Sequence, residues 1–187
     1  YASLVDSGFC VRLLVDGGIG FASTNKWDRD EAKAIVELAY KYAKMAKRKE
    51  KISFAEEKSA KSNWKVLEKQ KIKDVPPETR IETLMDLDKA LTTQEIPIAA
   101  RMLLLETDLT EKYFINTEDS VISSYVPRIY VGGFLTVIEN GKPEQAYKAF
   151  GSSGGWETLE EWNLTEQMIN EAKILQNVIK EAKPIKP

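Results

Sequence analysis

The chain has 187 residues, of which 43% are hydrophobic and 30% are charged. These proportions are typical of soluble globular proteins and exclude a disordered or collagenous chain. The longest aliphatic run, at residues 103–105, is far shorter than the roughly 18 apolar residues of a transmembrane helix. The net charge of −2 disfavours a generally basic nucleic-acid-binding protein, and the single cysteine, Cys10, excludes an intramolecular disulfide. The composition therefore favours a globular protein in a reducing compartment, without a membrane segment.

The sequence contains no histidine. Its absence excludes the H-E-x-x-H zinc motif, the Ser-His-Asp triad and the Cys-His pair within these residues. The chain alone is therefore a poor candidate for a complete hydrolase. It starts at Tyr1 without an initiator methionine and ends in Lys-Pro-Ile-Lys-Pro, which is typical of a linker. We therefore expect a fragment of a longer protein.

The first predicted element is a β-hairpin. Residues 8–15 and 19–24 have the composition of strands, and Asp16-Gly17-Gly18 between them supplies the positive φ angles of a tight turn. A phosphate-binding loop is the alternative for these glycines. Their spacing matches neither G-x-G-x-x-G nor the P-loop, and a strand follows them instead of a helix. The hairpin interpretation is therefore preferred.

A helix is predicted over residues 28–48. Asp28 and Glu31 form a capping-box pattern, and apolar residues recur after them at helical spacing. Three basic residues at its end suit the negative end of the helix dipole: Lys44, Lys47 and Arg48.

Residues 41–73 carry twelve basic residues and four glutamates, a local net charge of +8. Phe54 and Trp64 lie in the same segment, so a nucleic-acid-binding surface is one interpretation. The other is a solvated helix end followed by an extended surface loop. We prefer the loop, because no RNA-binding signature accompanies the lysines.

The rest of the chain is predicted to contain strands between two helices. A second helix is predicted over residues 77–91 and a last one over residues 165–182, both from apolar residues at helical spacing. Asn140-Gly141 indicates a hairpin turn, and Gly132-Gly133 would permit a bulge. The five predicted strands cover residues 98–106, 112–116, 121–126, 128–139 and 144–150. Strands grouped in this way indicate an α+β fold, with an antiparallel sheet of a hairpin plus a meander and the helices packed on one face in two layers.

A Gly/Ser-rich stretch follows the last predicted strand. Its exposed backbone N–H groups could bind a peptide, and the alternative is a flexible link to the last helix. The candidate substrate-binding residues are Ser152, Ser153, Gly154 and Gly155.

Three stretches resemble the TldD/PmbA family, described as modulators of DNA gyrase. Residues 8–24, with Val15-Asp16-Gly17-Gly18-Ile19-Gly20-Phe21 at their centre, resemble the signature hairpin of that family. Residues 115–120 leading to Val126-Pro127-Arg128 and the stretch Gly151-Ser152-Ser153-Gly154-Gly155-Trp156-Glu157 match in the expected order. The resemblance extends over residues 8–187.

The resemblance implies a cytoplasmic, zinc-dependent metallopeptidase that acts on small unfolded peptides as a homo- or heterodimer of related subunits. The family's H-E-x-x-x-H helix, whose glutamate is the general base, and a further cysteine ligand would follow Pro187. No catalytic residue and no metal ligand can be assigned within this chain, and Cys10 does not match the ligand cysteine. Residues 1–187 are thus expected to form the non-catalytic N-terminal domain, with the C-terminal metal-binding domain absent.

This domain would shape the substrate chamber and contact the partner subunit. Two other functions stay open from the sequence. The chain could belong to a PmbA-like subunit that hydrolyses nothing and acts only through interactions. It could also be a nucleic-acid-associated factor that binds through residues 41–73.

Overall fold

The computed structural model describes residues 1–46 and 49–183. The predicted end of the first helix at Lys47 and Arg48 and the predicted linker at residues 184–187 lie outside the described residues. The chain divides into two compact units, Tyr1–Lys58 and Ser59–Pro187. Each unit is described by itself.

The first unit begins with the predicted hairpin. Strand β1 (Phe9–Val15) pairs antiparallel with strand β2 (Gly18–Thr24) in a continuous register. Asp16 and Gly17 form the two-residue turn with φ angles of 52° and 83°. Both positive φ angles belong to the turn type whose twist matches that of a hairpin, so the hairpin prediction is confirmed.

Helix α1 (Arg29–Met45) packs on this hairpin. Its N-cap is Asp28, whose carboxylate accepts the backbone N–H groups of Asp30 at 2.9 Å and Glu31 at 2.8 Å. The Glu31 carboxylate accepts the Thr24 hydroxyl at 2.8 Å, so it ties the helix to β2. The small core of this unit contains Ala22, Ile35 and Ala39, with Phe9, Val11 and Leu13 against it.

The second unit contains a four-stranded sheet. Its strands are β3 (Lys61–Lys65), β4 (Ile98–Ile115), β5 (Val121–Glu139) and β6 (Lys142–Ser153). One side of β5 pairs with β4, and its other side pairs with β3 near the beginning and with β6 over the rest. The α+β fold class is therefore confirmed, but the sheet is mixed, because β3 runs parallel to β5.

Strand β3 lies in the segment that was predicted to be an extended loop. All five of its residues are exposed, and Lys-Ser-Asn-Trp-Lys has no alternation of apolar and polar residues. The periodicity that predicts a half-buried strand is therefore missing. Pairing with the backbone of β5 produces this strand, and the sequence of β3 does not show where that partner lies.

The predicted meander of five strands is a set of three longer strands. Residues 108–110 were predicted to separate two strands, but β4 runs through them, and Asp108 accepts hydrogen bonds from Thr110 and from Arg128 on β5. Strand β5 likewise continues through Pro127. Asn140 and Gly141 join β5 to β6 with φ angles of 52° and 75°, which confirms that hairpin.

Helices α2 (Pro77–Thr92) and α4 (Leu164–Glu181) pack on one face of the sheet, as predicted. A 3-10 turn (Ile72–Asp74) precedes α2, and a short helix α3 (Thr158–Glu161) precedes α4; neither was predicted. The core contains alternate residues of β5 and the inner residues of both helices: Ile129, Val131, Leu135, Val137, Leu87, Leu91, Met168, Ala172 and Leu175.

Gly132 and Gly133 form no bulge, because β5 pairs regularly with both neighbours at these positions. A Cβ at Gly133 would overlap the methyl group of Met168. On the other face, a Cβ at Gly132 would meet the Tyr147 hydroxyl at 2.5 Å. The two glycines therefore make room for a helix on one face and a tyrosine on the other.

Candidate functional site

The candidate residues occupy the end of β6 and the turn that follows it. Ser152 pairs with Ile129, Ser153 pairs with Arg128, and both serines are exposed. Gly154 and Gly155 are buried. The structure therefore separates the four residues into an accessible pair and an enclosed pair. Their predicted contact with a substrate stays a prediction.

The two glycines lie in a hydrogen-bonded turn. The Gly154 N–H donates to the Pro127 carbonyl at 3.2 Å, and the Gly155 carbonyl accepts the Thr158 N–H at 3.2 Å. A Cβ at Gly155 would lie 2.5 Å from the carbonyl oxygen of Gln70. The glycines are therefore required for close packing, and this part of the stretch has fixed partners that a flexible link would lack.

Glu157 ties the turn to the segment before α2. Its carboxylate accepts the backbone N–H groups of Lys69 at 3.0 Å and Gln70 at 2.9 Å, and the Trp156 N–H donates to the Gln70 carbonyl at 2.8 Å. Desolvation opposes ionisation of Glu157, but the N–H donors outweigh it and hold the pKa of this carboxyl below its usual value. Sequence reasoning included Glu157 in a family-like stretch but assigned it no role, since only a long-range contact reveals that role.

A second carboxylate, Glu68, holds the same segment. It accepts the Ile72 N–H at 2.8 Å and the Tyr125 hydroxyl at 2.9 Å. Burial and the neighbouring Glu68 raise the pKa of Tyr125 to about 12, so this phenol is a hydrogen-bond donor at neutral pH. The Arg80 guanidinium adds bonds to the carbonyls of Ile72 at 2.7 Å and Val75 at 3.2 Å. Glu68 and Arg80 thus bind backbone groups of Ile72 and Val75, and these hydrogen bonds hold the segment before α2 in place.

The backbone of β6 alternates between groups that bond β5 and groups that point away from it. On the side of β5 away from β4, the Pro127 carbonyl accepts the Gly154 N–H and the Val121 N–H donates to the Ala60 carbonyl. Strand β6 pairs with β5 along the same side. Odd-numbered residues of β5 therefore bond β6, and by the register they bond its even-numbered residues. The N–H and carbonyl groups of Gly151 and Ser153 thus point outward, at a strand edge that has no strand partner among the described residues.

The sheet face opposite the helices carries exposed aromatic and apolar side chains. Tyr130 on β5 and Tyr147 on β6 share a hydrogen bond between their hydroxyls. Their neighbours on this face include Phe134, which pairs with Tyr147, and Met102, which is 63% exposed. The alternation of β4, β5 and β6 could have indicated this face, but only the pairing shows which aromatic residues are adjacent.

No group of three or more His, Cys, Asp or Glu side chains that could hold a metal ion occurs in the described part of the chain. Cys10 is exposed. Asp88 forms a salt bridge with Arg101 at 2.5 Å, and this hydrogen bond lowers the pKa of the Asp88 carboxyl. The described residues therefore do not fit a zinc site.

No helix in residues 1–46 or 49–183 is both long enough and apolar enough to cross a membrane.

Comparison with known proteins finds two family models. Residues 1–43 match PmbA/TldA metallopeptidase domain 1, and residues 70–183 match the PmbA/TldA metallopeptidase central domain. These matches include the signature hairpin and the Gly/Ser-rich stretch on which the predicted resemblance depends. No curated protein matches the chain.

The fold is similar to a crystal structure of a candidate modulator of DNA gyrase from Bacteroides thetaiotaomicron VPI-5482. The TM-score is 0.65 and the sequence identity is 20%, so this likeness concerns the fold alone. The alignment covers 79% of this chain and 35% of the other, and the chain thus spans about a third of that protein's length.

Proposed function

Because the chain belongs to the PmbA/TldD metallopeptidase family, we propose that it provides the first and central domains of a metallopeptidase that cleaves small unfolded peptides in the cytoplasm. The observation that carries this proposal is the match of residues 1–43 and 70–183 to two consecutive domains of that family. The role of these residues is non-catalytic: they shape the substrate chamber and contact a related subunit of a homo- or heterodimer.

The metal and the general base of the intact enzyme come from residues beyond this chain. We propose zinc, bound by an H-E-x-x-x-H helix encoded after Pro187 together with a further cysteine. A sequence without histidine supports this division of roles. When bound, zinc would activate a water molecule for attack on the peptide bond.

The substrate contact of this chain is the outer edge of β6. An unfolded peptide presents regular N–H and carbonyl groups, and an open strand edge can bind such groups whatever the side chains are. The outward backbone groups of Gly151 and Ser153 support this assignment, as does the exposure of Ser152 and Ser153. Gly154 and Gly155 allow the turn after β6 to pack closely against Pro127 and Gln70, and this packing fixes the position of the strand end.

The peptidase assignment is tested on the full gene product and on the 187-residue chain in parallel. We expect chelator-sensitive cleavage of short peptides and bound zinc for the full product. For the 187-residue chain, we expect neither. A downstream sequence that lacks both histidines would favour the non-hydrolytic interaction subunit instead. One tightly bound zinc per 187-residue chain would contradict the division of roles.

The substrate edge is tested with Ser153→Pro in the full product. Proline removes the outward N–H of Ser153 and leaves the bonds between β5 and β6 in place, so KM should rise while zinc content stays unchanged. Ser53→Pro is the matched control, because it makes the same replacement at an exposed residue outside the helices and strands. Equal KM values for Ser153→Pro and the wild type would contradict the assignment of the β6 edge to the substrate site.

A nucleic-acid-associated function is the second candidate. Trp64 is 54% exposed between Lys61 and Lys65 on β3, and a flat aromatic ring between cations suits single-stranded nucleic acid. The similar protein from Bacteroides thetaiotaomicron is named for DNA gyrase. Binding of single-stranded DNA that weakens steeply with salt and is lost in Trp64→Ala would favour this function. Absence of binding at low salt would exclude it.

A further inference from the structure

The sheet face opposite the helices has a strip of small side chains beside the β6 edge. Ala149, Gly151 and Ser153 lie on this face, because they pair with even-numbered residues of β5, which alternate with its buried core residues. All three are exposed, and none has a side chain larger than a hydroxymethyl group. The last third of β6 therefore forms a shallow surface between its outer edge and the side chains of β5.

Tyr130 on β5 bounds this surface on its inner side. It pairs with Gly151, and a Cβ on Gly151 would lie 3.4 Å from the Tyr130 ring and within 4 Å of no other described residue except its chain neighbours. The same ring lies over Gly132, where a Cβ would be 3.2 Å from it, and its hydroxyl is hydrogen-bonded to the Tyr147 hydroxyl. The space above Gly151 is therefore an open slot that ends at a fixed aromatic ring, and we call it the Gly151 slot.

The Gly151 slot lies beside the backbone groups that a bound strand would use. In odd-numbered residues of β6, the N–H and carbonyl groups point to the outer edge, and the side chains lie on the face of Tyr130. A peptide residue that exchanges two hydrogen bonds with Gly151 has its own side chain on this face as well. Neighbouring strands are about 4.8 Å apart, so a large side chain that crosses Gly151 reaches the Tyr130 ring on the next strand.

The other face of β6 is covered by side chains of the same unit. Phe150 stacks on Trp162 with 5.8 Å between the ring centroids, and both residues pack against the core. Lys148 forms a salt bridge with Glu171 of α4 at 3.5 Å. A large side chain of an added strand is therefore better accommodated on the face that carries Tyr130.

We propose that the Gly151 slot is a specificity subsite that takes one large apolar side chain of the substrate peptide, with an aromatic ring as its best occupant. This ring would pack on Tyr130, and aromatic pairs attract each other beyond the apolar area that they bury. Shifting the peptide by one residue would turn the side chain to the other face, so the slot also selects the register of binding. The proposal rests on the proposed substrate edge of β6 and adds a side-chain preference to it.

Two heptapeptides of alternating serine and alanine test the subsite, one with a central phenylalanine and one with a central alanine. Calorimetry measures their binding to the 187-residue chain, and kcat/KM is measured for the full gene product. We expect about tenfold tighter binding and a correspondingly higher kcat/KM for the phenylalanine peptide. Equal binding of the two peptides overturns the proposal. A full product that cleaves neither peptide contradicts the peptidase function, and the binding ratio then decides on the subsite by itself.

Substitutions at the slot identify the group that produces the preference. Tyr130→Ala removes the ring and should reduce the ratio of the two dissociation constants to about one, whereas Tyr130→Phe keeps the ring and should keep the ratio. Gly151→Val fills the slot with the ring in place, and it should also abolish the preference. Tyr113→Ala is the matched control, because Tyr113 is 68% exposed on β4, outside the slot. Circular dichroism checks the fold of each variant.

Ser153→Pro separates the subsite from the strand edge. It should weaken the binding of both peptides equally, because the lost backbone hydrogen bond does not depend on the peptide side chain. A tenfold ratio that persists in both Tyr130→Ala and Gly151→Val overturns the subsite but not the substrate edge. Unchanged binding of both peptides in Ser153→Pro contradicts the edge and the subsite together.

Discussion

Individual residues around the Gly/Ser-rich turn have structural roles that depend on distant backbone. The Glu157 carboxylate accepts two N–H groups from residues that precede it by more than eighty positions. Gly155 leaves room for the Gln70 carbonyl beside it. Glu157 and Gly155 therefore fix the turn that follows the exposed end of β6 through contacts within the fold.

Replacing Glu157 with glutamine should destabilise the folded chain by about 1 kcal/mol at neutral pH, because charge-assisted hydrogen bonds become neutral ones. The folded state lowers the pKa of Glu157 below its ordinary 4.5. The stabilisation is therefore fully present above that pH and is lost as the pH falls through the folded-state pKa. Urea unfolding of both proteins across this range measures the difference in unfolding free energy.

Glu160→Gln is the control for this experiment, since Glu160 is exposed. Its unfolding free energy should follow that of the wild type at every pH. A Glu157→Gln difference that stays constant down to the lowest pH would show that the carboxylate charge does not contribute.

Gly155→Ala should destabilise the second unit by about 1–3 kcal/mol, because its methyl group would need the Gln70 carbonyl to move. Gly151→Ala is the matched control: its Cβ would lie 3.4 Å from the Tyr130 ring, an ordinary contact. Thermal unfolding monitored by circular dichroism compares the two variants. Equal melting temperatures would contradict the close packing at Gly155.

At the scale of elements, α1 lies unusually close to β2. A Cβ on Gly20 would overlap the Ala39 carbonyl, and a Cβ on Gly18 would overlap the Ala43 carbonyl. Ala39 and Ala43 are fully buried and lie one turn apart on the helix. Glycines on the strand and alanines on the helix therefore let the two backbones approach, which explains glycines beyond those that the turn requires.

Gly20→Ala should therefore destabilise the first unit by about 1–3 kcal/mol, because the helix would have to move away from the strand. Phe21→Ala is the control on the neighbouring residue, which is 47% exposed and points to the other face of the hairpin. Hydrogen exchange of the α1 amides measures the effect within this unit. Equal protection of α1 in the two variants would contradict the proposed contact.

At the scale of the whole molecule, two units of different size contain separate cores. Among the described residues, the second unit has the larger hydrophobic core. Residues 51–58, at the end of the first unit, have no helix or strand, and most of them are exposed. The two family models also leave this stretch unmatched.

Limited trypsin digestion should therefore cleave first at Lys51 or Lys58 and release a stable fragment that begins in this stretch. Mass spectrometry identifies the cleavage sites, and circular dichroism of the fragment checks that its sheet persists. The basic residues of β4, Arg101 and Lys112, are the internal controls and should be cleaved later. First cleavage within β4 would contradict the packing of the sheet.

The sequence alone determined the features that depend on neighbouring residues. Asp16-Gly17 and Asn140-Gly141 identify hairpin turns because few other residues adopt positive φ angles at low cost. Asp28 identifies the start of α1 because its side chain caps nearby amides. Periodic apolar residues located α1, α2 and α4, and the signature stretches identified the family.

Only the tertiary structure decided the features that depend on distant partners. Strand β3 exists because β5 offers it a parallel edge, and Gly132-Gly133 serves packing because Met168 and Tyr147 lie over it. The Gly/Ser-rich stretch divides into an exposed strand end and a buried turn because Glu157 and Gln70 meet there. These contacts join positions far apart in the chain, and the local sequence does not show which backbone groups will form hydrogen bonds with each other.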